Sequence, residues 1–222
     1  MTKLSSLLKK DWPILLLIVL GFALGVYFYP SLPDRVPIHW NAQGEVNGYG
    51  SKLFGTFGIP SIILGLYIMF VALPFIDPKR KNYSSFESTY QFLKYLLVIF
   101  FLGMELITLL IASGMVVNRP ILIQVMISLL FILLGNVMGR LKHNYFMGIK
   151  TPWTLASEEV WRKTHRLAAP LWVFGGIINI LLALMGMTFN GISFIIILAV
   201  IAIVPIVYSY LAYRELGIPK NH

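Results

Sequence analysis

The chain has 222 residues, of which 58% are hydrophobic and 12% are charged. An ordinary soluble domain carries about 25% charged residues, so this composition indicates an integral membrane protein. The chain contains no cysteine, which excludes disulfides, thiolate metal sites and cysteine nucleophiles. Its formal net charge is +9, and the basic residues lie beside hydrophobic runs, which favours a role in membrane topology over nucleic-acid binding.

Six apolar runs are long enough to cross a bilayer, which requires about 20 residues in a helix. They cover residues 13–29, 56–76, 92–113, 120–139, 168–187 and 192–213. A cleaved signal peptide is the alternative for the first run because lysines precede it, but its length and its aromatic end favour a retained span. The sequence therefore predicts an all-α membrane protein with a six-helix transmembrane bundle. Residues 1–88 are predicted to form a two-span module and residues 89–222 a four-span module.

The distribution of basic residues predicts the sidedness of the bundle. When Lys94 is counted with the loop before the third run, alternate segments together hold 15 of the 18 Lys and Arg residues, and the remaining segments hold 3. Both termini and the loops at 77–91 and 140–167 are therefore predicted to be cytoplasmic, and the loop at 30–55 to face outside. His39 is then separated from His143 and His165 by the membrane, so these residues cannot form one metal or catalytic centre. We expect no enzyme activity, no metal and no cofactor.

The outer loop reads "PSLPDRVPIHWNAQGEVNGYGSKLFG". Its prolines forbid a regular helix at its start, and its Asn and Gly residues form turns, so short extended segments in a small hairpin are expected. His39, Trp40 and Asn41 place an imidazole, a large amphipathic ring and an amide next to one another in this loop. In one interpretation Trp40 anchors the loop at the membrane interface and His39 hydrogen-bonds within it. In the other, the loop is a contact surface for an outside ligand such as a peptide or a lipid-soluble molecule.

Glu105, Asn136 and Asn179 are polar residues within apolar runs. A carboxylate at this depth is costly and ordinarily faces a bundle interior or a water-filled cavity. Two interpretations of Glu105 are open: a protonated acid hydrogen-bonded between helices, or a functional group of a small-solute or proton-coupled transporter or channel. If Glu105 met both asparagines, the three side chains would outline a polar cavity.

The inner stretch "NYFMGIKTPWTLASEEVWRKTHR", residues 144–166, is far richer in polar and aromatic residues than a connector requires. Gly148 permits a turn. Thr151 is expected to be extended, because Pro152 disfavours helix at the residue before it. Trp153 is then expected to return to the membrane interface.

The second half of this stretch predicts a short amphipathic helix that leads into the fifth apolar run. Thr154 or Ser157 can cap it, and two glutamates lie in its first turn, where they favour the helix dipole. Trp161 and His165 are four residues apart and share a face. One interpretation is a membrane-surface helix with Trp161 inserted and basic residues on anionic headgroups. We favour an ordered structure with a re-entrant or docking role, because a surface helix does not require the preceding Thr-Pro-Trp-Thr.

Two motifs resemble a known family. "GNVMGRLKHNYFMGIKTPWTLASEEVWRKTHR", residues 135–166, resembles the signature region of the SdpI family of bacterial immunity membrane proteins. "LPDRVPIHWNAQGEVNGYGSK" resembles the N-terminal module commonly found with it. The inner motif is long and specific, whereas the outer one also occurs in other membrane proteins. The motifs stand in the family's order, so the resemblance covers nearly the whole chain, with residues 60–95 matched in hydropathy only.

The resemblance implies that the protein protects a cell against a secreted toxic peptide that acts on the membrane. The family's founding member is also a signalling receptor, which holds a cognate transcriptional repressor at the membrane when toxin is present. The implied partners are therefore membrane lipid, a secreted peptide toxin and a repressor protein on the cytoplasmic side, with no direct nucleic-acid binding. The family assigns no catalytic residue to carry over.

By motif position, the resemblance also names candidate site residues. The candidates for toxin contact are Pro37, His39, Trp40, Asn41 and Gly44. The candidates for partner docking or for loop structure are Asn144, Gly148, Lys150, Thr151, Pro152, Trp153, Thr154, Trp161, Thr164, His165 and Arg166, and Asn136 belongs to the same motif. At Lys150 the family more commonly carries Arg, and the two are not equivalent at a bidentate site.

A membrane enzyme is a third class of function. The inner loop alone holds Glu158, Glu159, His143 and His165, which are acid–base side chains. The predicted sidedness argues against this class, because the candidate acid–base groups of the whole chain divide between the two faces of the membrane.

Overall fold

The computed structural model describes residues 10–41, 46–115, 119–187 and 191–217. Short 3₁₀ turns cover Tyr29–Ser31 and Arg80–Phe86. The strands are β1 (Arg35–Trp40) and β2 (Val46–Ser51), and the helices are α1 (Trp12–Phe28), α2 (Lys52–Ile76), α3 (Glu87–Ala112), α4 (Arg119–Met138), α5 (Pro152–Ala156), α6 (Glu158–Leu184) and α7 (Gly191–Glu215).

Six of these helices, all except the short α5, are long and apolar enough to cross a membrane. The predicted all-α membrane protein with six spanning helices is therefore confirmed. Three helices begin four or more residues before their apolar runs: α2 begins at Lys52, α3 begins at Glu87 and α6 begins at Glu158. Hydropathy falls at charged residues, whereas a capped helix continues through them. The predicted amphipathic helix and the fifth span are consequently one continuous helix.

The chain forms two compact units. The first unit comprises Met1–Ala72 and Phe92–Ile123, and the second comprises Leu73–Gln91 and Gln124–His222. The core of the first unit is built by α1, α2 and α3, which contribute the buried residues Ile14, Ile18, Ile63, Tyr67 and Val98.

A buried ion pair joins α1 to α3 inside the first unit. Lys94 Nζ lies 2.7 and 2.6 Å from the two carboxylate oxygens of Asp11. Their side chains are only 3% and 0% exposed. Asp11 directly precedes α1 but its side chain does not cap that helix, because both oxygens face the Lys94 ammonium. Lys94 therefore belongs to the interior of this unit and is not one of the loop charges among which the sequence analysis counted it.

The outer loop forms the predicted hairpin, in which β1 and β2 pair antiparallel. Val36 of β1 is fully buried and packs with Leu32 and Leu109. The hairpin can approach α2 closely because Gly55 has no side chain, and a Cβ at that position would collide with Val36. These contacts seat the hairpin on the helices of the first unit.

A chain of buried amides and a hydroxyl joins α4 to α6 in the second unit. Asn179 Nδ2 donates to Ser128 Oγ at 2.7 Å, and Gln124 Nε2 donates to Asn179 Oδ1 at 2.9 Å. A Cβ on Gly176 would lie only 2.6 Å from the carbonyl oxygen of Ser128. The glycine therefore permits the close backbone approach that these hydrogen bonds require.

Candidate functional site

The side chain of Asn144 organises the start of the inner turn, which we define as residues 144–154. Its Oδ1 accepts from the backbone N–H groups of Phe146 at 2.9 Å and Met147 at 2.6 Å. Its Nδ2 donates to the carbonyl oxygens of Lys142 at 2.9 Å and Met147 at 3.0 Å. Asn144 is fully buried. Because both donors and both lone pairs of the amide are used, Asn144 holds the turn and leaves nothing for a ligand.

Gly148 and His165 close the turn onto α6. Gly148 has a φ of +107°, which favours glycine, and a Cβ there would collide with His165 Nε2. Ile149 N–H donates to His165 Nε2 at 2.9 Å, and His165 Nδ1 lies 2.8 Å from the carbonyl oxygen of Trp161. A carbonyl can only accept, so Nδ1 carries the proton and Nε2 accepts. The geometry therefore requires a neutral imidazole with a fixed tautomer.

Trp161 lies in the interior of the second unit. It is 1% exposed, and its indole N–H donates to the carbonyl oxygen of Leu141 at 2.9 Å. Its ring stacks on His165 with a centroid distance of 4.1 Å. The burial of Trp161 contradicts the interpretation of a membrane-surface helix with this ring inserted into lipid. It also leaves the ring no surface on which a partner could dock.

Thr151 and Thr154 form a reciprocal cap at the start of α5. Thr151 Oγ1 accepts from Thr154 N–H at 3.1 Å, and Thr154 Oγ1 accepts from Thr151 N–H at 2.8 Å. The Thr154 hydroxyl donates to the carbonyl oxygen of Ile149 at 2.8 Å. Thr151 Oγ1 also lies 3.0 Å from Ser209 Oγ of α7. Ser209 donates its own proton to the carbonyl oxygen of Ile206, so the Thr151 proton is shared between Ser209 Oγ at 3.0 Å and Thr154 Oγ1 at 3.3 Å.

Two neighbouring residues complete α5. Pro152 occupies the first turn of this helix, where its missing N–H costs no hydrogen bond, and its side chain is exposed. Trp153 is half-buried, and its ring lies 5.0 Å from the ring of Tyr210 in α7. The segment "GIKTPWT" thus attaches the inner turn to both α6 and α7.

The segment after α2 supports the inner turn from another direction, which the sequence analysis missed. Asp77 is 1% exposed, and its Oδ2 accepts from Tyr145 N–H at 3.1 Å and from the Tyr83 hydroxyl at 2.9 Å. Asn82 Nδ2 donates to the carbonyl oxygen of His143 at 2.8 Å. A signal was available, because Asp77 is an acidic residue directly at the end of an apolar run.

His143 lies beside Trp161 and lines an open cavity of about 440 Å³ in the second unit. It is 4% exposed, and the ring centroids of His143 and Trp161 are 5.3 Å apart. Burial lowers the pKa of His143, and the Lys79 charge lowers this pKa further. His143 Nε2 has no hydrogen-bond partner among the residues that the structure describes.

The remaining inner candidates differ in exposure. Lys150 is exposed, and its ammonium donates to the carbonyl oxygen of Phe146 at 3.0 Å. Arg166 is also exposed and lines the cavity beside His143. Thr164 is fully buried, with no hydrogen-bond partner for its hydroxyl in the described part of the chain. Of these candidates, only the two basic side chains are available to a partner.

The outer candidates lie on the hairpin. His39 is exposed, and its Nδ1 donates to Asn47 Oδ1 at 2.5 Å, as the first interpretation of this loop expected. Pro37, Trp40 and Asn41 are half-buried, and Gly44 lies outside the described residues.

The hairpin also exposes two apolar residues of the outer motif that were not among its candidate site residues. Ile38 is 38% exposed and Tyr49 is 51% exposed. The guanidinium of Arg35 lies 5.6 Å from the centre of the Tyr49 ring. The hairpin therefore exposes an aromatic, an aliphatic and an imidazole side chain.

The three intramembrane candidates have different surroundings. Glu105 is 1% exposed, and neither carboxyl oxygen has a hydrogen-bond partner among the described residues. A Cβ on Gly21 of α1 would lie 3.0 Å from Glu105 Oε2. Asn179 pairs with Gln124 and Ser128, as described above, whereas Asn136 is exposed. The two asparagines therefore do not form one polar cluster.

The regions that match known protein families include the outer and the inner motif. Residues 140–209 match the model of the SdpI/YfhL protein family. Residues 16–64 match a domain of unknown function, DUF1648. The chain is 29% identical over 214 residues to "Immunity protein SdpI" of Bacillus subtilis (strain 168), a match that covers 95% of this chain and 99% of that protein. No solved structure matches the chain. These findings confirm the resemblance to the SdpI family.

Proposed function

We propose that this chain, whose similarity to an SdpI immunity protein extends over 95% of its length, is an integral membrane immunity protein that protects its cell against a secreted toxic peptide. The extent of that similarity is the observation that carries the proposal. It includes the outer hairpin, the inner turn and the spans between them, so the similarity is not limited to one common module.

The outer hairpin is the proposed contact for the toxin. The positive-inside rule supports its location outside the cell, because basic residues concentrate in the alternate segments. Its exposed Ile38, His39 and Tyr49 combine apolar area with a hydrogen-bonding ring. Such amphipathic side chains are suited to bind a peptide that itself partitions into membranes.

A killing assay tests this proposal. A sensitive bacterial strain without its own immunity gene would produce the wild-type chain, a His39→Ala/Tyr49→Ser variant, or no added protein. The probe is the culture supernatant of Bacillus subtilis strain 168, the organism of the similar immunity protein, alongside that of the organism that encodes this chain. We expect wild-type protein to raise survival at least tenfold and the hairpin variant to lose most of that gain at equal membrane abundance. Equal killing with and without the wild-type protein in both supernatants would refute immunity.

We also propose a signalling role. In this role, the cytoplasmic side of the protein holds a transcriptional repressor at the membrane when toxin is bound. Trp161 is buried, so the proposed docking surface consists of exposed side chains beside the inner turn. Tyr145 is 41% exposed and Phe146 is 38% exposed, with Lys150 close by. A fluorescent fusion of a repressor encoded beside this gene would move to the membrane with wild-type protein. Membrane recruitment that persists unchanged in a Tyr145→Ser/Phe146→Ser variant would exclude this surface.

A proton-coupled transporter is the second candidate, and the burial of Glu105 without a described hydrogen-bond partner favours it. Transport pathways commonly use an intramembrane carboxylate. Against this function, the sequence shows no inverted repeat or paired broken helices of the kind that build transporter sites.

A further inference from the structure

The cavity beside His143 is lined by residues at the ends of two apolar runs. Gly139 is the last residue of the fourth run, and Lys142 follows it by three positions. Arg166 precedes the fifth run by two positions. The cavity has a volume of about 440 Å³, which is within the range of small-molecule sites, roughly 300–1,000 Å³. It therefore lies at the boundary between the hydrocarbon core and water, where lipid headgroups meet basic side chains.

The cationic part of the lining is closer to the hydrocarbon core than the acidic part. An α-helix rises about 1.5 Å per residue, so Arg166 and Arg162 lie about 3 and 9 Å along α6 from the start of the fifth run at residue 168. By the same rise, Glu158 lies about 15 Å from that point. The polar layer of each leaflet is about 5–8 Å thick. The arginines are therefore within this layer or next to it, and Glu158 is beyond it.

The charges of the lining favour an anion. Its three cations are exposed: Lys142, Arg162 and Arg166. In the described part of the chain none of them forms an ion pair, although Glu158 is four positions before Arg162 on the same helix. Glu159 is neutralised by Lys163, a residue outside the lining, whose ammonium lies 3.4 Å from the Glu159 carboxylate. Three cations therefore accompany one carboxylate that has no cationic partner among the described residues.

Arg162 and Arg166 are placed to hold one phosphate together. They are four positions apart and so lie on one face of α6. Each guanidinium presents a planar set of N–H donors that fits phosphate oxygens bidentately. The wall behind them includes the buried rings of His143 and Trp161. The ligand is therefore recognised by the exposed side chains of the rim and requires no polar atom of the wall.

We propose that this cavity binds the headgroup of one anionic phospholipid, such as phosphatidylglycerol. The phosphodiester lies between Arg162 and Arg166, Lys142 is the third cation, and the acyl chains continue beside the apolar part of α6. A phosphocholine headgroup has the same phosphodiester but adds a quaternary ammonium, which the cations of the lining repel. The site does not depend on the proposed immunity, so lipid binding alone decides it.

Lipid binding to the purified full chain tests the site. Native mass spectrometry would compare phosphatidylglycerol with phosphatidylcholine of identical acyl chains, and soluble glycerol 3-phosphate would be added as a competitor. We expect about a tenfold preference for phosphatidylglycerol, because each basic side chain near a bilayer surface favours an anionic lipid by about a factor of five and Glu158 offsets part of that gain. Equal binding of the two lipids would overturn the proposal. Complete displacement of the lipid by equimolar glycerol 3-phosphate would also overturn it, because a free phosphate ester and not a lipid would be the ligand.

Two charge-matched variants separate this site from general attraction to anionic lipid. Arg162→Gln/Arg166→Gln removes two exposed charges from the lining and should reduce the preference to about twofold or less. Arg80→Gln/Arg140→Gln removes two exposed arginines of the second unit that do not line the cavity, and it should keep a preference of at least about fivefold. Tryptophan fluorescence checks that both variants are folded.

Three outcomes of this comparison would contradict the proposal. A folded Arg162→Gln/Arg166→Gln variant that keeps the full preference would show that the headgroup binds elsewhere. An equal loss in Arg80→Gln/Arg140→Gln would show that net charge and not the cavity selects the lipid. Preserved lipid preference together with lost repressor recruitment would assign the two lining arginines to a protein partner instead.

Discussion

The backbone N–H of Ile149 donates a hydrogen bond of 2.9 Å to Nε2 of His165. This bond connects the glycine turn to the second turn of α6, and the same imidazole is fixed on its other side by the Trp161 carbonyl. The most distinctive part of the sequence is therefore built into the interior of the second unit. Partner binding, where it occurs, has to use the exposed residues around this turn.

Replacing Gly148 with Ala should destabilise the protein by about 2 kcal/mol or more, because the residue would combine a φ of +107° with a collision against His165. The measurement is the thermal midpoint of detergent-solubilised protein by tryptophan fluorescence. Gly139→Ala is the matched control, since a Cβ there has no neighbour within 4 Å and its φ is not positive. Equal midpoints for the two variants would show that the turn is not closed on His165.

Thr151→Val should lower stability by about 1–2 kcal/mol, because it removes the helix cap and the hydroxyl that lies 3.0 Å from Ser209 Oγ. Thr151→Ser retains both interactions and should stay close to wild type. Adding Ser209→Ala to each background measures the coupling by a double-mutant cycle. A coupling of zero between Thr151 and Ser209 would contradict the attachment of α5 to α7.

Local patterns predicted much of the fold. The apolar runs predicted the six spans, because each span is a local property of about 20 residues. The prolines and glycines of the outer loop predicted the hairpin for the same reason. The glycine turn and the cap at Ser157 were also expected, and Ser157 Oγ accepts from Val160 N–H at 3.4 Å. These features depend on neighbours within a few positions.

Contacts between distant residues were not predictable from one sequence. Asp11 and Lys94 are separated by 83 positions, and nothing local indicates that their charges neutralise each other. The burial of Trp161 was missed because a tryptophan beside basic residues fits a membrane interface equally well. Its indole partner, the Leu141 carbonyl, lies on another segment. The sequence therefore predicted that the inner stretch has an ordered structure, but not which segments it packs against.

Replacing one member of the Asp11–Lys94 ion pair should destabilise the protein far more than replacing both. Asp11→Leu or Lys94→Met alone leaves one charge without its partner in this pair at a site with 0–3% exposure, and we expect a loss of about 3–5 kcal/mol. The double variant removes both charges and should recover most of that loss. Membrane abundance and thermal midpoint measure the effect. A double variant no better than the worse single variant would argue against a direct pairing.

Stability should also depend on pH through His143. The pKa of His143 is lowered from 6.5 by burial and by Lys79, so the unfolded chain binds a proton in a range where the native protein does not. Stability is therefore expected to fall as the pH drops below 6.5 and to level off below the lowered pKa. Nearby Glu158 and Asp77 oppose the shift and limit its size. Thermal midpoints from pH 7.5 to 5 should show a smaller loss in His143→Phe; an unchanged slope would exclude His143 as its source.

The Glu105→Gln variant distinguishes an immunity protein from a proton-coupled transporter. The substitution keeps the size of a side chain whose carboxyl oxygens have no described hydrogen-bond partner, so we expect unchanged membrane abundance and unchanged survival in the toxin assay. A proton-coupled transporter would instead lose flux in proteoliposomes. Wild-type flux that disappears in Glu105→Gln, together with lost protection, would favour the transporter.

The most direct test of immunity is membrane depolarisation after exposure to toxin. A potential-sensitive dye would be followed in sensitive cells with and without the wild-type chain, using the same two culture supernatants. Protection at the membrane predicts that cells with the protein keep their potential at toxin doses that collapse it in control cells. Identical depolarisation curves, with the protein present in the membrane at normal abundance, would contradict the proposed function.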